Sequence, residues 1–133
     1  MALAHFIRSV TPSDAPVWLR MREALWPDAV GIHALEIARY FSGPRSHPAE
    51  VLVACLGSGA PIGFVELSIR AHEGSADRVA CVDGWFVEAA YRDSGIDAGL
   101  SAAAEEWGRV SGCVELASNV RHQSAGSPPT DER

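Results

Sequence analysis

The stretch "YRDSGIDAGLSAAAEEW", Tyr91 to Trp107, reads as a glycine-bearing loop that opens directly into a helix. From Ser94 onward the apolar positions Ile96, Leu100, Ala103, Trp107 and Val110 recur every three or four residues, which predicts an amphipathic helix with Gly112 as its stop. A helix entered this way presents free backbone N–H groups and the positive end of its dipole. Gly95 lets an anion approach the backbone, and Arg92 adds guanidinium donors suited to a phosphate. Two carboxylates, Asp93 and Asp97, stand in the same loop. At a helix start they gain from the dipole, yet they compete with any phosphate for the same N–H groups.

Outward from this loop, strands and helices follow in a definite order. "RVACVDGWFVEA", Arg78 to about Glu88, is a strand leading into the loop, with Gly84 marking a bulge or a close backbone approach. "VLVACL" (Val51 to Leu56) and "GFVELSIRA" are its predecessors in a meander joined by "GSGAPIG" and "HEGSAD". The register of "GFVELSIRA" is open, because Phe64, Leu67 and Ile69 do not alternate. Before the meander come a short strand, His5 to Val10, and a helix "APVWLRMREALW". Thr11, Pro12 and Asp14 form its capping box, and Val17, Trp18, Leu19, Met21, Leu25 and Trp26 its apolar face. A second helix runs from about Ile32 to Phe41, with Leu35, Ile37, Ala38 and Phe41 as apolar positions. "CVELAS", Cys113 to Ser118, is a last strand whose helical crossover implies parallel pairing. The expected fold is a mixed α/β sheet, mostly antiparallel and flanked by helices, in one domain over residues 1–119. Residues 120–133 have two prolines and no periodicity, and are expected to be a disordered tail.

The totals narrow the partners. The 133 residues suffice for one domain, and a net charge of −6 disfavours nucleic acid and suits a cationic small partner. Cys55, Cys81 and Cys113 lie apart inside apolar runs, as free thiols do in a reducing compartment. No cysteine–histidine spacing fits a metal. The N-terminus is too short and polar for a signal peptide, and no apolar run approaches the ~20 residues of a membrane span, so the expected location is the cytoplasm.

The loop Arg92-Asp93-Ser94-Gly95-Ile96-Asp97, set between a fourth strand and a third helix, resembles the acetyl-coenzyme A motif of the GNAT superfamily of N-acetyltransferases. The arginine and the first glycine match, and Asp97 stands where the motif ends in a small residue. "TPSDAPVWLRMREALWPD", "GFVELSIR", "VDGWFVEAAYR" and "GCVELAS" resemble, in order, segments of one branch, the aminoglycoside 6'-N-acetyltransferases; together they cover most of residues 5–119. The resemblance implies acetyl-coenzyme A as co-substrate. Backbone near Phe86 and Val87 would bond the pantetheine arm, and N–H groups of Asp93, Ser94, Gly95, Ile96 and Asp97, with Arg92, the pyrophosphate. It also implies Trp26 as a wall of the antibiotic site and Asp83 as the carboxylate facing the acceptor amine. A carboxylate there can attract an ammonium group and help remove its proton. Glu66, Glu73 and Asp77 read as solvated turn or edge residues.

Three departures from the branch carry expectations of their own. Asp93 and Asp97 occupy positions that are normally glycine. At ~4 Å and an effective dielectric of 20, each like-charge pair with a phosphate costs about 4 kcal/mol before screening. Asn119 stands where the branch has a carboxylate contacting the antibiotic. The family's fourth helix and closing strands have no counterpart after Ser118. An open fifth-strand edge is therefore expected, paired with a second copy as a homodimer or higher oligomer. Two functions follow: an N-acetyltransferase of the aminoglycoside-modifying type with impaired activity, or a non-catalytic relative kept as a binding module.

Overall fold

Every second residue of the apolar run Val51–Cys55 faces the opposite side of its sheet, and both sides are covered. The computed structural model describes residues 3–45, 48–71 and 74–118. Its strands are β1 (His5–Ser9), β2 (Glu50–Leu56), β3 (Pro61–Ala71), β4 (Arg78–Val87) and β5 (Glu115–Ser118). Its helices are α1 (Ala15–Leu25), α2 (His33–Ser42) and α3 (Ile96–Val110). The sheet order is β1-β2-β3-β4-β5, antiparallel throughout except for the parallel β4–β5 pair. The mixed sheet, its meander and its parallel last strand are those expected from the sequence. The strand edges shift by a few residues: β5 starts at Glu115, because Cys113 still closes α3 through a bond to the Gly108 carbonyl.

One core lies between the sheet and α3, and a second between the sheet and α1 with α2. Leu52 and Ala54 join Val65, Leu67, Val82, Trp85, Ile96, Leu100 and Ala104 on the α3 side. Val51, Val53 and Cys55 join Trp18, Met21, Ile37, Tyr40, Phe64 and Phe86 on the other. Covering on both faces explains why β2 is continuously apolar rather than alternating. It also resolves β3, where Phe64 and Leu67 serve opposite cores. Two helical faces differ from expectation. In α2 the buried side chains are His33, Ile37 and Tyr40, and Leu35 is exposed. In α3 the buried line is Ile96, Leu100, Ala104 and Gly108, while Val110 is exposed. Gly108 is there because a Cβ would approach the Ala80 Cβ to 3.1 Å, so the small residue sets how closely α3 lies on β4.

At the entry to α1, Asp14 does more than cap. Its carboxylate accepts from the Thr11 N–H at 2.8 Å and takes both Arg8 guanidinium nitrogens at 2.7 and 3.0 Å. Arg8 beside it holds the Asp14 carboxyl down at about 2, tying β1 to the helix start. The tail predicted over residues 120–133 lies outside the described residues.

Candidate functional site

The middle of β4 carries the feature that builds the site. Pairing with β3 slips between Glu66↔Gly84 and Leu67↔Val82, so Asp83 is an extra residue. Such a bulge turns two successive side-chain positions to one face. Val82 and Trp85 therefore both reach the α3 core, while Asp83 and Gly84 face α1. Gly84 also satisfies the second expectation for it, since a Cβ there would stand 2.6 Å from Trp26 Cη2. The indole of Trp26, just past the end of α1, is packed directly on the strand at the bulge.

Trp26 and Asp83 line a cavity of about 280 Å³ together with Arg22, Pro48, Glu66 and Arg70. The two residues expected at the acceptor side thus share one cavity. Asn119, the third, lies outside the described residues. Trp26 is held by two contacts, the Arg22 guanidinium 5.1 Å from its ring centre and His33 stacked at 6.0 Å. Arg70 Nη2 lies 3.3 Å from Asp83 Oδ1.

Glu66 corrects the sequence reading. It is not a solvated edge residue: it is 3% exposed, accepts from Trp18 Nε1 at 3.0 Å and pairs with Arg22 Nε at 2.8 Å. Burial pushes its carboxyl up, opposed by the Arg22 charge and the Trp18 bond. Arg22, itself buried, reaches Glu36 at 2.7 Å with its other end. Asp77 is exposed, as expected; Glu73 lies outside the described residues.

The second half of the site begins where β4 parts from β5. The parallel pairing runs from Val79↔Glu115 to Val82↔Ser118, and among the described residues β4 continues from Asp83 to Val87 with no strand on that side. Phe86 and Val87 are buried, in the α1 and α3 cores respectively, so only their backbone is open to a ligand. The Val87 carbonyl already accepts from Arg92 Nε at 2.7 Å, and the Arg92 guanidinium lies 5.7 Å from the Phe86 ring. Arg92 is thus braced against the end of β4, which keeps it at the mouth of the gap.

The loop that follows is tightly held. Ser94 Oγ donates to the Tyr91 carbonyl, and the Ser94 carbonyl accepts from the Leu3 N–H. Gly95, the residue before Ile96 and the α3 helix, has φ 93°, which only glycine adopts freely. Asp93 has φ 66°, a left-handed conformation in a position suited to glycine, with its side chain exposed. Asp97 behaves differently. Its Oδ1 accepts from Trp85 Nε1 at 2.8 Å, so this carboxylate is tied to the core and serves the helix start. The two aspartates of the loop are therefore not equivalent.

The family model described as the acetyltransferase (GNAT) family matches residues 18–126, most of the chain. The chain belongs to the GNAT acetyltransferase family. This acetyltransferase domain is 41% identical over 130 residues to an aminoglycoside N(6')-acetyltransferase type 1 of Klebsiella aerogenes, covering 96% of this chain and 86% of the relative. Among solved structures it resembles an aminoglycoside antibiotic 6'-N-acetyltransferase of Acinetobacter baumannii, with TM-score 0.74, 30% identity, and 90% and 82% of the two chains covered. It also resembles an enzyme of the same class solved with the bisubstrate analogue CoA-S-monomethyl-acetylneamine, with TM-score 0.72, 26% identity, and 90% and 82% covered. Among the described residues no group of His, Cys, Asp and Glu is arranged to hold a metal, and no helix is long and apolar enough to cross a membrane.

Proposed function

We propose that this protein is an aminoglycoside 6'-N-acetyltransferase that takes its acetyl group from acetyl-coenzyme A. The observation that carries the reading is the β4 bulge, which turns Asp83 toward Trp26 in the same strand segment that has lost its β5 partner. An acceptor cavity and a gap for an extended thiol arm therefore meet on one strand. The names of the relatives, and the bisubstrate analogue bound by one of them, support the same pairing of ligands. The reading treats residues 1–119 as one N-acetyltransferase-like domain acting in the cytoplasm, where acetylation would confer resistance to the antibiotic.

The residues present fit acetyl-coenzyme A with one exception. The first-turn N–H groups of α3 have no intrahelical acceptors, and Gly95 lets them be approached closely. N–H groups from Asp93 to Asp97, with Arg92, would hold the pyrophosphate, and the backbone of Phe86 and Val87 the pantetheine. The exception is Asp93, whose exposed carboxylate would compete with the pyrophosphate for these N–H groups; Asp97 is directed to Trp85. A dissociation constant weaker than about 100 μM is expected on this account.

Bound acetyl-coenzyme A supplies the acetyl group as a thioester. Trp26 would wall the acceptor, and Asp83 would hold its ammonium form and, directly or through water, take the proton whose loss frees the nitrogen lone pair to bond to the acetyl carbon. An N–H of β4 would polarise the carbonyl, and as the C–S bond breaks the departing sulfur would take up, through water, the second proton that the nitrogen loses on becoming an amide. Asn119 would add a hydrogen bond to the acceptor without charge.

The test is mass spectrometry of kanamycin incubated with the protein and saturating acetyl-coenzyme A. Gain of one acetyl group at the 6' nitrogen, lost in Asp83→Asn, is expected. No product under saturation overturns the enzymatic reading in favour of a binding module. The reading includes a homodimer formed over β5, because Val114 is 58% exposed beside a cavity lined by Leu116, Gly108 and Cys113. A monomer in light scattering at micromolar concentration would exclude it.

A further inference from the structure

The acceptor cavity is not uniformly acidic. Glu66 and Asp83 face it, but so do Arg22 and Arg70. The two arginines differ in freedom. Arg22 has a side chain only 6% exposed and is held by both Glu66 and Glu36, so its charge and that of Glu66 are committed to each other. Arg70 has a side chain 51% exposed, and it meets Asp83 near the end of β3 at the wide distance of 3.3 Å.

We propose that Arg70 is a specificity-determining residue of the acceptor site, competing with the ammonium group of the acceptor for Asp83. The inference rests on the aminoglycoside reading above. A cationic amine that approaches the Asp83 carboxylate must share or displace the Arg70 guanidinium. An exposed ion pair of this kind biases such an exchange by about two- to fivefold. The Arg70 charge also repels the other ammonium groups of a polycationic acceptor within the ~8 Å screening length at physiological salt. Arg70 thus lowers the affinity for highly charged amines, and it does so through an exposed side chain that can swing aside when Asp83 is taken.

The experiment is calorimetric titration of kanamycin into the wild-type protein, Arg70→Gln, Arg70→Lys, Asp83→Asn and the double variant Arg70→Gln/Asp83→Asn, at low and at high salt. Arg70→Gln is expected to bind about two- to fivefold more tightly at low salt. Arg70→Lys, which keeps the charge, should stay at the wild-type value. The gain should shrink at high salt and be smaller when Asp83 is already Asn, since only the repulsion of the other ammonium groups then remains. Unchanged or weaker binding by Arg70→Gln overturns the inference and leaves the aminoglycoside reading standing. An equal gain in the Asp83→Asn background overturns it too, since Arg70 would then act without Asp83. Absence of kanamycin binding in all five proteins overturns the aminoglycoside reading and this inference with it.

Discussion

A methyl group added at Gly84 would lie 2.6 Å from Trp26 Cη2 and 3.0 Å from Cζ2. Carbon atoms in good contact are about 3.5–4.0 Å apart, so the indole must retreat by roughly 1 Å. It can do so, because Trp26 is only half-buried and the clash falls on the far end of its ring. The retreat weakens its contacts with Arg22 and His33, worth about 1 kcal/mol in all. Gly84→Ala should therefore fold, with a melting temperature lower by only about 4 °C. Function should suffer more. A wall of the acceptor cavity has moved by roughly 1 Å, a displacement that can cost about 100-fold in a positioned reaction. The expected result is a KM for kanamycin raised by about tenfold or more, with acetyl-coenzyme A affinity unchanged, because Phe86 and Val87 lie beyond the altered contact. Gly63 gives the contrast: a Cβ there would stand 2.8 Å from the Phe86 carbonyl, which is backbone and cannot turn away, so Gly63→Ala should cost about 2 kcal/mol or more in stability. Calorimetric melting and steady-state kinetics of the two variants separate the cases. A Gly84→Ala protein with the wild-type KM for kanamycin would refute the claim that the bulge sets the position of Trp26.

The two loop aspartates should also respond differently. Asp93→Gly relieves a left-handed backbone and removes an exposed charge, so acetyl-coenzyme A should bind more tightly by titration calorimetry while stability stays nearly constant. Asp97→Gly removes the Asp97 carboxylate from Trp85 Nε1 and places glycine in a helix, so it should cost about 2 kcal/mol in denaturant unfolding. The Arg8–Asp14 pair predicts a pH dependence. The folded-state pKa of Asp14 is depressed, so its stabilisation is present above the ordinary carboxylate range and is lost as pH falls from about 4 to about 2. Asp14→Asn should cost about 1–2 kcal/mol near neutrality, and its melting temperature should converge with that of the wild type at the acid end of this window.

What was legible in the sequence followed from local rules. The "TPSD" cap, the turn glycines and the change from strand to helix after "YRDSG" each depend on residues close together in the chain, and so the element order and the β4–β5 crossover could be read directly. Gly84 was legible as a bulge because a glycine inside an apolar strand needs a reason. Which side chain it made room for was not, because Trp26 arrives from 58 residues away in the chain. The same limit misled the reading of Glu66. A carboxylate in "GFVELSI" looks solvated only if one face of the strand is wet, and here both faces are covered, one by α1. A charge in a strand with apolar neighbours on both sides must either face water or meet a buried partner of opposite sign. Arg22, one turn beyond the core residue Trp18 on α1, is that partner in the structure. Recognising β3 as a central strand would have pointed to that pair. The pairing also changes what the site can do. With Glu66 committed to Arg22, Asp83 is left as the cavity carboxylate whose described arginine partner is exposed enough to give way. An incoming amine therefore meets Asp83 rather than Glu66, and the bulge that turns Asp83 toward Trp26 becomes the feature on which acceptor binding turns.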